Sequence, residues 1–137
     1  MPHRVMTNRA LAQNDGGFEA GDSLPDGTIY AGISPDTHKP LYAMPTDAGQ
    51  MLSWKKAGEF AAGLDMHGHK DWRVPTQNEL EILYRLRHRI PGFSMTGWYW
   101  SSSLSSHGLA WVQRFSDGHQ FSHANAFEML FLRCVRG

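Results

Sequence analysis

The sequence predicts one α+β domain, in which two helices pack on a small, mostly antiparallel sheet. The 137 residues are enough for a single domain, and 41% of them are hydrophobic against 19% charged. This balance favours a packed core over disorder. Two helical periodicities occupy the middle of the chain, and strand-like segments precede and follow them. Segregated helices and strands are typical of α+β folds, whereas alternation is typical of α/β folds.

The N-terminal segment is predicted to form a flexible arm over residues 1–23, before a folded domain of residues 24–137. The arm is polar and contains an Asn-Asp-Gly-Gly cluster, which disfavours regular structure. The domain is expected to begin with a β-hairpin. Residues 27–33 and 40–44 contain β-branched and aromatic side chains, and the residues between them favour a turn.

The first predicted helix occupies residues 53–64. Trp54, Ala57 and Ala61 recur at three- and four-residue steps, which places them on one helical face. Ser53 is a suitable N-cap because its hydroxyl can accept from a free backbone N–H of the first turn.

The second predicted helix has a clearer start signal. Thr76 and Glu79 have the spacing of a capping box, and Pro75 stands just before them. Pro91 and Gly92 are expected to end this helix.

The last third of the chain is predicted to consist of strands. They occupy residues 98–103, 109–115, 120–123 and 131–136. The second and fourth of these are apolar on both faces, and we expect such a strand in the centre of a covered sheet. Asp117 and Gly118 mark a hairpin turn between the second and the third.

Composition narrows the function classes. Lys plus Arg and Asp plus Glu number 13 each, which disfavours a dominant surface for nucleic acid or anionic membranes. No segment approaches the ~20 apolar residues of a membrane span. The first residues contain no apolar run, and we expect no signal peptide. One cysteine allows no intrachain disulfide. We therefore expect a soluble protein of a reducing compartment.

The histidines, the cysteine and the serines of the last third match no known catalytic or metal-binding pattern. His67 and His69 form a close pair, but their spacing matches neither a metalloprotease helix nor a zinc finger. Cys134 lies in a predicted buried strand, where an apolar environment makes a thiol inert. The serines at 101–106 lack a nucleophile-elbow context. We expect no catalytic residue, no metal, no cofactor and no enzymatic activity.

Aromatic and adaptable polar residues are mixed in the last third, a composition typical of recognition surfaces. The residues predicted to bind a ligand are Ser105, His107, Trp111, Gln113, Arg114, His119, His123 and Asn125. Because side chains alternate along a strand, Trp111 and Gln113 share one face. The sequence does not decide whether that face or the opposite one is exposed.

Four motifs resemble those of a known domain family. Residues 71–80 resemble its Asp-Trp-Arg-Leu-Pro-Thr-x-x-Glu-Leu motif, and residues 99–103 resemble its Tyr-Trp-Ser-Ser-Thr motif. Residues 110–118 resemble its Ala-Trp strand with a glycine turn, and residues 133–136 its terminal Arg-Cys-Val-Arg. In this order they resemble the family named for the C-terminal domain of the Legionella collagen-like adhesin, over residues 27–137. Many members of that family are encoded by phages and prophages.

The resemblance implies a C-type-lectin-like fold with two helices, a small sheet and long loops in the second half. Residues 73–81 are also similar to the formylglycine-generating enzyme family. That enzyme needs two active cysteines and this chain has one, so oxidation of a sulfatase cysteine is not expected. The calcium-binding motifs of animal lectins are absent from the sequence. Some family members pair a helix cysteine with the terminal one, and Ala61 stands near that helix position here.

We interpret the shared motif residues as structural. Trp72 is expected in the core, and Asp71 or Arg73 is expected to form an ion pair with Arg136 in the terminal strand. The residues predicted to hold the fold are Asp71, Trp72, Arg73, Pro75, Glu79, Trp100 and Arg136.

The expected function is a non-enzymatic recognition module, encoded by a phage or prophage, that binds a carbohydrate or a protein surface. The alternative is a soluble phage-encoded modulator that binds and inhibits a host protein, with residues 1–23 ordering on the partner. Either protein would be cytoplasmic or virion-associated, without nucleic acid and without membrane insertion. Both are compatible with a homo-oligomer.

Overall fold

The computed structural model describes residues 17–123 and 126–137, and it has the predicted α+β architecture. Its elements in chain order are β1 (Ile29–Ile33), β2 (Pro40–Ala43), α1 (Trp54–Ala62), α2 (Gln77–Arg85), β3 (Trp98–Leu104), β4 (Ala110–Arg114), β5 (Gln120–His123) and β6 (Val135–Arg136). The predicted hairpin, both helices and the three strands of the last third before β6 are confirmed. The C-type-lectin-like assignment stays a prediction.

The strands form two small antiparallel sheets, with the orders β1-β2-β6 and β3-β4-β5. Of the two strands predicted to be apolar on both faces, β4 is central in its sheet, as predicted, whereas β6 lies at the edge of the other sheet. Val112 of β4 lies opposite Trp100 on one side and Phe121 on the other. This register places the three side chains on one face of the sheet.

The closing strand is much shorter than predicted, because only Val135–Arg136 pairs with β2. The residues before it bond alternately to different parts of the molecule. Phe131 N donates to Trp98 O at 3.0 Å, and Cys134 O accepts from Met44 N at 3.0 Å. The terminal segment therefore runs between the two sheets and joins them, so it cannot form one continuous ladder.

The helices begin where the capping signals predict. Ser53 Oγ accepts from Lys56 N at 3.4 Å at the start of α1. Thr76 and Glu79 form the capping box of α2 with both reciprocal hydrogen bonds. This helix ends at Arg85, well before the predicted end at Pro91, and the chain continues in turns.

Two hydrophobic cores lie on the two faces of the β3-β4-β5 sheet. Trp100 and Val112 face the first core, which α1 covers with Ala57 and Ala61. Tyr99, on the opposite face, belongs to the second core, which α2 and the β1-β2-β6 sheet cover. Because adjacent strand residues point to opposite faces of a sheet, β3 contributes side chains to both cores.

The N-terminal part of the described chain is tied to β1. Gly21 N donates to Tyr30 O at 2.7 Å, and Tyr30 N donates to Asp22 O at 2.9 Å. Residues 17–23 of the predicted arm therefore pack on the domain. Residues 1–16 lie outside the described residues, and the arm stays a prediction there.

Candidate functional site

The residues predicted to bind a ligand do not form one surface. Ser105 and His107 lie in the turn between β3 and β4. Arg114 and His119 lie at the opposite end of β4, beside the turn to β5. With ~3.4 Å per residue, β4 alone separates the two pairs by about 14 Å. The structure therefore brings together Ser105 with His107 at one end of β4 and Arg114 with His119 at the other.

The prediction for Gln113 is wrong, because its side chain is fully buried. Its amide nitrogen donates to Glu81 Oε1 at 2.7 Å, so α2 covers this face of β4. Trp111, on the same face, is half-buried. The predicted residue His123 is the last residue of β5, and Asn125 lies outside the described residues.

An aromatic patch lies at the end of the second sheet near the β4–β5 turn. We define it by five residues: Trp98, Arg114, Asp117, His119 and Phe121. The Trp98 ring centroid lies 5.0 Å from that of Phe121 and 6.4 Å from that of His119, both edge to face. Phe121 is 38% exposed, and the His119 side chain is also exposed. The patch therefore presents aromatic edges and faces to solvent.

The register of the sheet explains how the patch forms. Trp98 of β3 lies directly opposite Arg114 of β4, and Arg114 N donates to His119 O at 2.9 Å. The Arg114 guanidinium lies 5.1 Å from the Trp98 ring centroid, within cation–π range. Three strands thus each contribute a side chain to one end of one sheet face.

A paired charge borders the aromatic rings. Arg114 contacts Asp117 through two hydrogen bonds, Nε to Oδ1 at 3.0 Å and Nη2 to Oδ2 at 2.5 Å. The side-chain hydrogen bond from Arg114, with a second from His119 N, lowers the pKa of Asp117 to about 2. Both groups are therefore charged at neutral pH and held in a fixed, planar geometry.

The turn that contains Asp117 is packed on α2. Gly118 has a φ of +80°, and a Cβ at this position would lie 2.5 Å from the Tyr84 ring. The Tyr84 ring contacts Phe115 edge to face at 5.6 Å, and Arg87 stacks on its other side at 4.0 Å. The packing of this turn on α2 therefore keeps Asp117 in place within the aromatic patch.

A second concave feature lies between α1 and the segment that precedes α2. This groove has a volume of about 380 Å³, and Trp54, Gly58, Ala62, Val74 and Ser102 line it. An adjoining depression of about 300 Å³ shares four of these residues and extends toward Trp72. No sequence pattern predicted this groove. A signal for it in the sequence is Gly58, a glycine inside the helix predicted over residues 53–64.

The close histidine pair forms hydrogen bonds between two loops. His67 Nδ1 lies 2.9 Å from Asp26 O, and His69 Nε2 lies 2.8 Å from Asp26 Oδ2. The hydrogen bond from His69 lowers the pKa of Asp26 to about 2. Within residues 17–123 and 126–137, no group of three or more His, Cys, Asp or Glu side chains is placed to hold a metal.

The lone cysteine lies in the first core. Cys134 is buried, and desolvation raises the pKa of its thiol to about 12. Such a thiol is protonated at neutral pH and is a poor nucleophile. Ala61 of α1 belongs to the same core.

The shared motif residues lie at contacts between distant parts of the chain. Trp72 is only 3% exposed, and its Nε1 donates to Met66 O at 3.1 Å. Arg136 Nε lies 2.7 Å from Asp71 Oδ1. These contacts connect the segment before α2 to the loop before it and to the terminal strand.

Two further motif residues form a partly buried pair. Arg73 donates from Nη1 and Nη2 to the two carboxylate oxygens of Glu79, at 2.6 and 2.8 Å. Ser34 Oγ, in the turn after β1, also donates to Glu79 Oε2 at 2.6 Å. The Glu79 carboxylate therefore links the start of α2 to the first hairpin.

A buried polar cluster that no sequence pattern predicted lies between the two sheets. Arg133 is 0% exposed, and its Nε lies 2.7 Å from Asp47 Oδ1. Tyr99 OH donates to Asp47 Oδ2 at 2.5 Å. Burial raises the pKa of Asp47, although Arg133 and Tyr99 oppose this effect. The arginine of the terminal motif could have suggested a structural ion pair, but its partner lies far away in sequence.

Comparison with known proteins identifies the family. A family model described as the Lcl C-terminal domain matches residues 32–136, which include the last two residues of β1, strands β2 to β6, both helices and every residue of the aromatic patch. No curated protein matches the sequence. Neither α1 nor α2, the two helices of the described chain, has the length and apolar character that a membrane crossing requires. The chain belongs to the Lcl C-terminal domain family.

Proposed function

We propose that this chain is a non-enzymatic recognition module and that the aromatic patch binds a carbohydrate. Membership of the Lcl C-terminal domain family favours a non-catalytic, adhesin-like role. The observation that supports the site most directly is the exposed ring of Phe121 beside the Arg114–Asp117 pair.

The chemistry of the patch suits a sugar. The apolar C–H face of a pyranose ring packs on an aromatic side chain, while its hydroxyl groups need donors and acceptors at fixed positions. Phe121 and Trp98 offer the aromatic surface, and the Arg114–Asp117 pair offers the donors and acceptors. Because the pair is already oriented, little side-chain entropy is lost when it bonds to a ligand.

The charge state of Asp117 argues against a role as a general acid. A general acid needs a pKa near the working pH, and the pKa of Asp117 is about 2. Asp117 therefore stays ionised and paired to Arg114 at neutral pH. Such a carboxylate is suited to accepting hydrogen bonds from hydroxyl groups rather than to transferring protons.

The proposed origin and location of the protein are those that the sequence predicts. A phage- or prophage-encoded module, cytoplasmic or virion-associated, would use this patch for attachment, and self-association would increase its avidity. A protein partner is the alternative ligand, and the experiment below separates the two.

A glycan array with the full-length chain tests the proposal, followed by calorimetry with the strongest glycan. Phe121→Ala should weaken glycan binding about five- to thirtyfold, because ring contacts contribute ~1–2 kcal/mol. Leu104→Ala is the matched control, since Leu104 is 52% exposed at the other end of the same sheet. It should bind as the unmodified chain does.

Two outcomes would contradict the proposal. An array without any bound glycan would remove the carbohydrate assignment, and a protein ligand would then be sought. Equal losses in Phe121→Ala and Leu104→Ala, with unchanged melting temperatures, would place the binding surface outside the aromatic patch.

A further inference from the structure

The groove along α1 has an apolar floor and wall that larger side chains could fill. Gly58 lies in the middle of the helix, and a Cβ built there would meet nothing within 4 Å. Trp54 and Val74 form the walls, and Ala62 extends the floor. The groove volume of about 380 Å³ is at the lower end of small-molecule sites, which are ~300–1,000 Å³. It therefore fits one ring or one branched aliphatic group.

Glycine at position 58 has no evident structural reason. A glycine inside a helix is unfavourable relative to alanine, and the open space at Gly58 means that packing does not require it. Its backbone is helical, and its φ is not positive. The absence of a side chain is what keeps this part of the groove open.

One basic and one acidic side chain line the groove, and they differ in their ion pairing. Lys55 and Glu59 both line it, and Glu59 Oε1 lies 3.4 Å from Lys56 Nζ. Lys55 forms no ion pair within the described residues 17–123 and 126–137. An ammonium group without a carboxylate partner thus stands beside an apolar groove. This combination is complementary to an apolar molecule with one anionic group.

We propose that the groove binds a small aromatic or branched aliphatic carboxylate. The apolar part packs against Trp54, Gly58 and Val74, and the carboxylate lies at the Lys55 ammonium group. The site shares no residue with the aromatic patch, so it is a second binding function in addition to the proposed carbohydrate site.

Three probes with the same ring test the charge argument on the full-length, ¹⁵N-labelled chain. They are 3-phenylpropionate, 3-phenylpropan-1-ol and 3-phenylpropylamine, each titrated while amide shifts are followed by NMR. The acid should shift amides of α1, Val74 and Ser102, and it should bind more tightly than the alcohol and the amine. An exposed ion pair of this kind corresponds to about a two- to fivefold preference.

Two pairs of variants locate the site. Gly58→Leu should abolish binding of all three probes, whereas Gly58→Ala should retain most of it, and both should fold because the helix is stabilised. Lys55→Gln should reduce the affinity for the acid to that for the alcohol. Lys56→Gln is its matched control, since Lys56 pairs with Glu59, and it should retain the preference for the acid.

Several results would overturn the proposal. One is the absence of shifts in α1 with millimolar 3-phenylpropionate. A second is equal affinity for the acid and the amine, which would remove the role of Lys55. A third is unchanged binding in Gly58→Leu, which would place the probe elsewhere. Phe121→Ala should bind 3-phenylpropionate normally, so failure of the glycan assignment would leave this result intact.

Discussion

Two arginine–carboxylate pairs in this protein have similar hydrogen-bond distances and opposite surroundings. Arg133 Nε lies 2.7 Å from Asp47 Oδ1 in the interior between the two sheets, and Arg133 is fully buried. Arg114 contacts Asp117 through two hydrogen bonds of 2.5 and 3.0 Å on the surface, in the aromatic patch. A short distance between the two charges therefore does not reveal what a pair does. The burial of the arginine distinguishes the pair that stabilises the fold from the pair that is accessible to a ligand.

The interior pair is held by more than its partner. Arg133 also donates to Met44 O at 3.1 Å and to Pro91 O at 3.0 Å, and its guanidinium lies 3.9 Å from the Phe93 ring centroid. The surface pair has solvent around it, which weakens its contribution to stability. If this contrast is correct, substitutions in the Arg133–Asp47 pair should lower stability, whereas substitutions in the Arg114–Asp117 pair should weaken glycan binding.

The largest effect is expected for Arg133→Leu. This change leaves Asp47 as a largely buried carboxylate without its cation and removes the donor to the carbonyls of Met44 and Pro91, so it should destabilise the fold by ~3–5 kcal/mol. Urea denaturation measures the loss. The double variant Arg133→Leu/Asp47→Leu should recover part of it, because the unpaired charge is then removed. A stability close to that of the unmodified chain in the single variant would contradict the contrast.

A smaller effect is expected for Glu79→Gln, which weakens the pair with Arg73. Glu79 is buried while Arg73 is partly exposed, so the loss of a charge-assisted hydrogen bond should cost ~1–3 kcal/mol. Arg73→Lys is a useful comparison because it keeps the charge and loses the bidentate geometry. Thermal unfolding at neutral pH measures both.

The same residue gives a pH dependence. Desolvation raises the pKa of Glu79, but hydrogen bonds from Arg73 and Ser34 outweigh it, so its pKa in the folded protein lies below the ordinary value of 4.5. The unfolded chain therefore binds this proton first as pH falls, and stability should decrease from about pH 4.5 downward. The Glu79→Gln variant should show a shallower decrease over this range. Identical slopes for both proteins would exclude a contribution from Glu79.

How far the sequence predicts this molecule depends on how local each signal is. The first hairpin, Ser53 and the capping box at Thr76 follow from neighbouring residues, and all three are as predicted. Arg133 and Asp47 are 86 positions apart, and no local pattern connects them. The short final strand likewise depends on two sheets that the terminal segment joins.

The candidate sites show the same limit. Arg114 and His119 were found because polar and aromatic residues alternate near a turn. Gln113 has the same composition around it but is covered by α2, and residue type does not indicate which face a helix will cover. The groove depends on an absent side chain at Gly58, which is a weak signal in any sequence.

A substitution in the β4–β5 turn should lower both the stability of the fold and the affinity for a glycan. Gly118→Ala forces a side chain into a positive-φ position against Tyr84, which should cost ~1–3 kcal/mol through strain. It should also displace Asp117 and weaken glycan binding. Gly108→Ala has a similar φ of +76° but nothing within 4 Å of its Cβ, so it should lose some stability and retain binding. Equal binding in the two variants would mean that the turn does not position the patch.

The smallest effect on stability and a large effect on binding are expected together for Arg114→Ala. Asp117 is at the surface, where water replaces the lost hydrogen bonds, so the melting temperature should hardly change. Glycan affinity should fall because the patch loses its oriented donor. The pKa of Asp117 should rise from about 2 toward its ordinary value, since the Arg114 hydrogen bond is the main cause of the shift, and an NMR titration of the carboxyl group would detect this. A large loss of stability in this variant would show that the surface pair also holds the fold, and the contrast with Arg133 and Asp47 would then no longer apply.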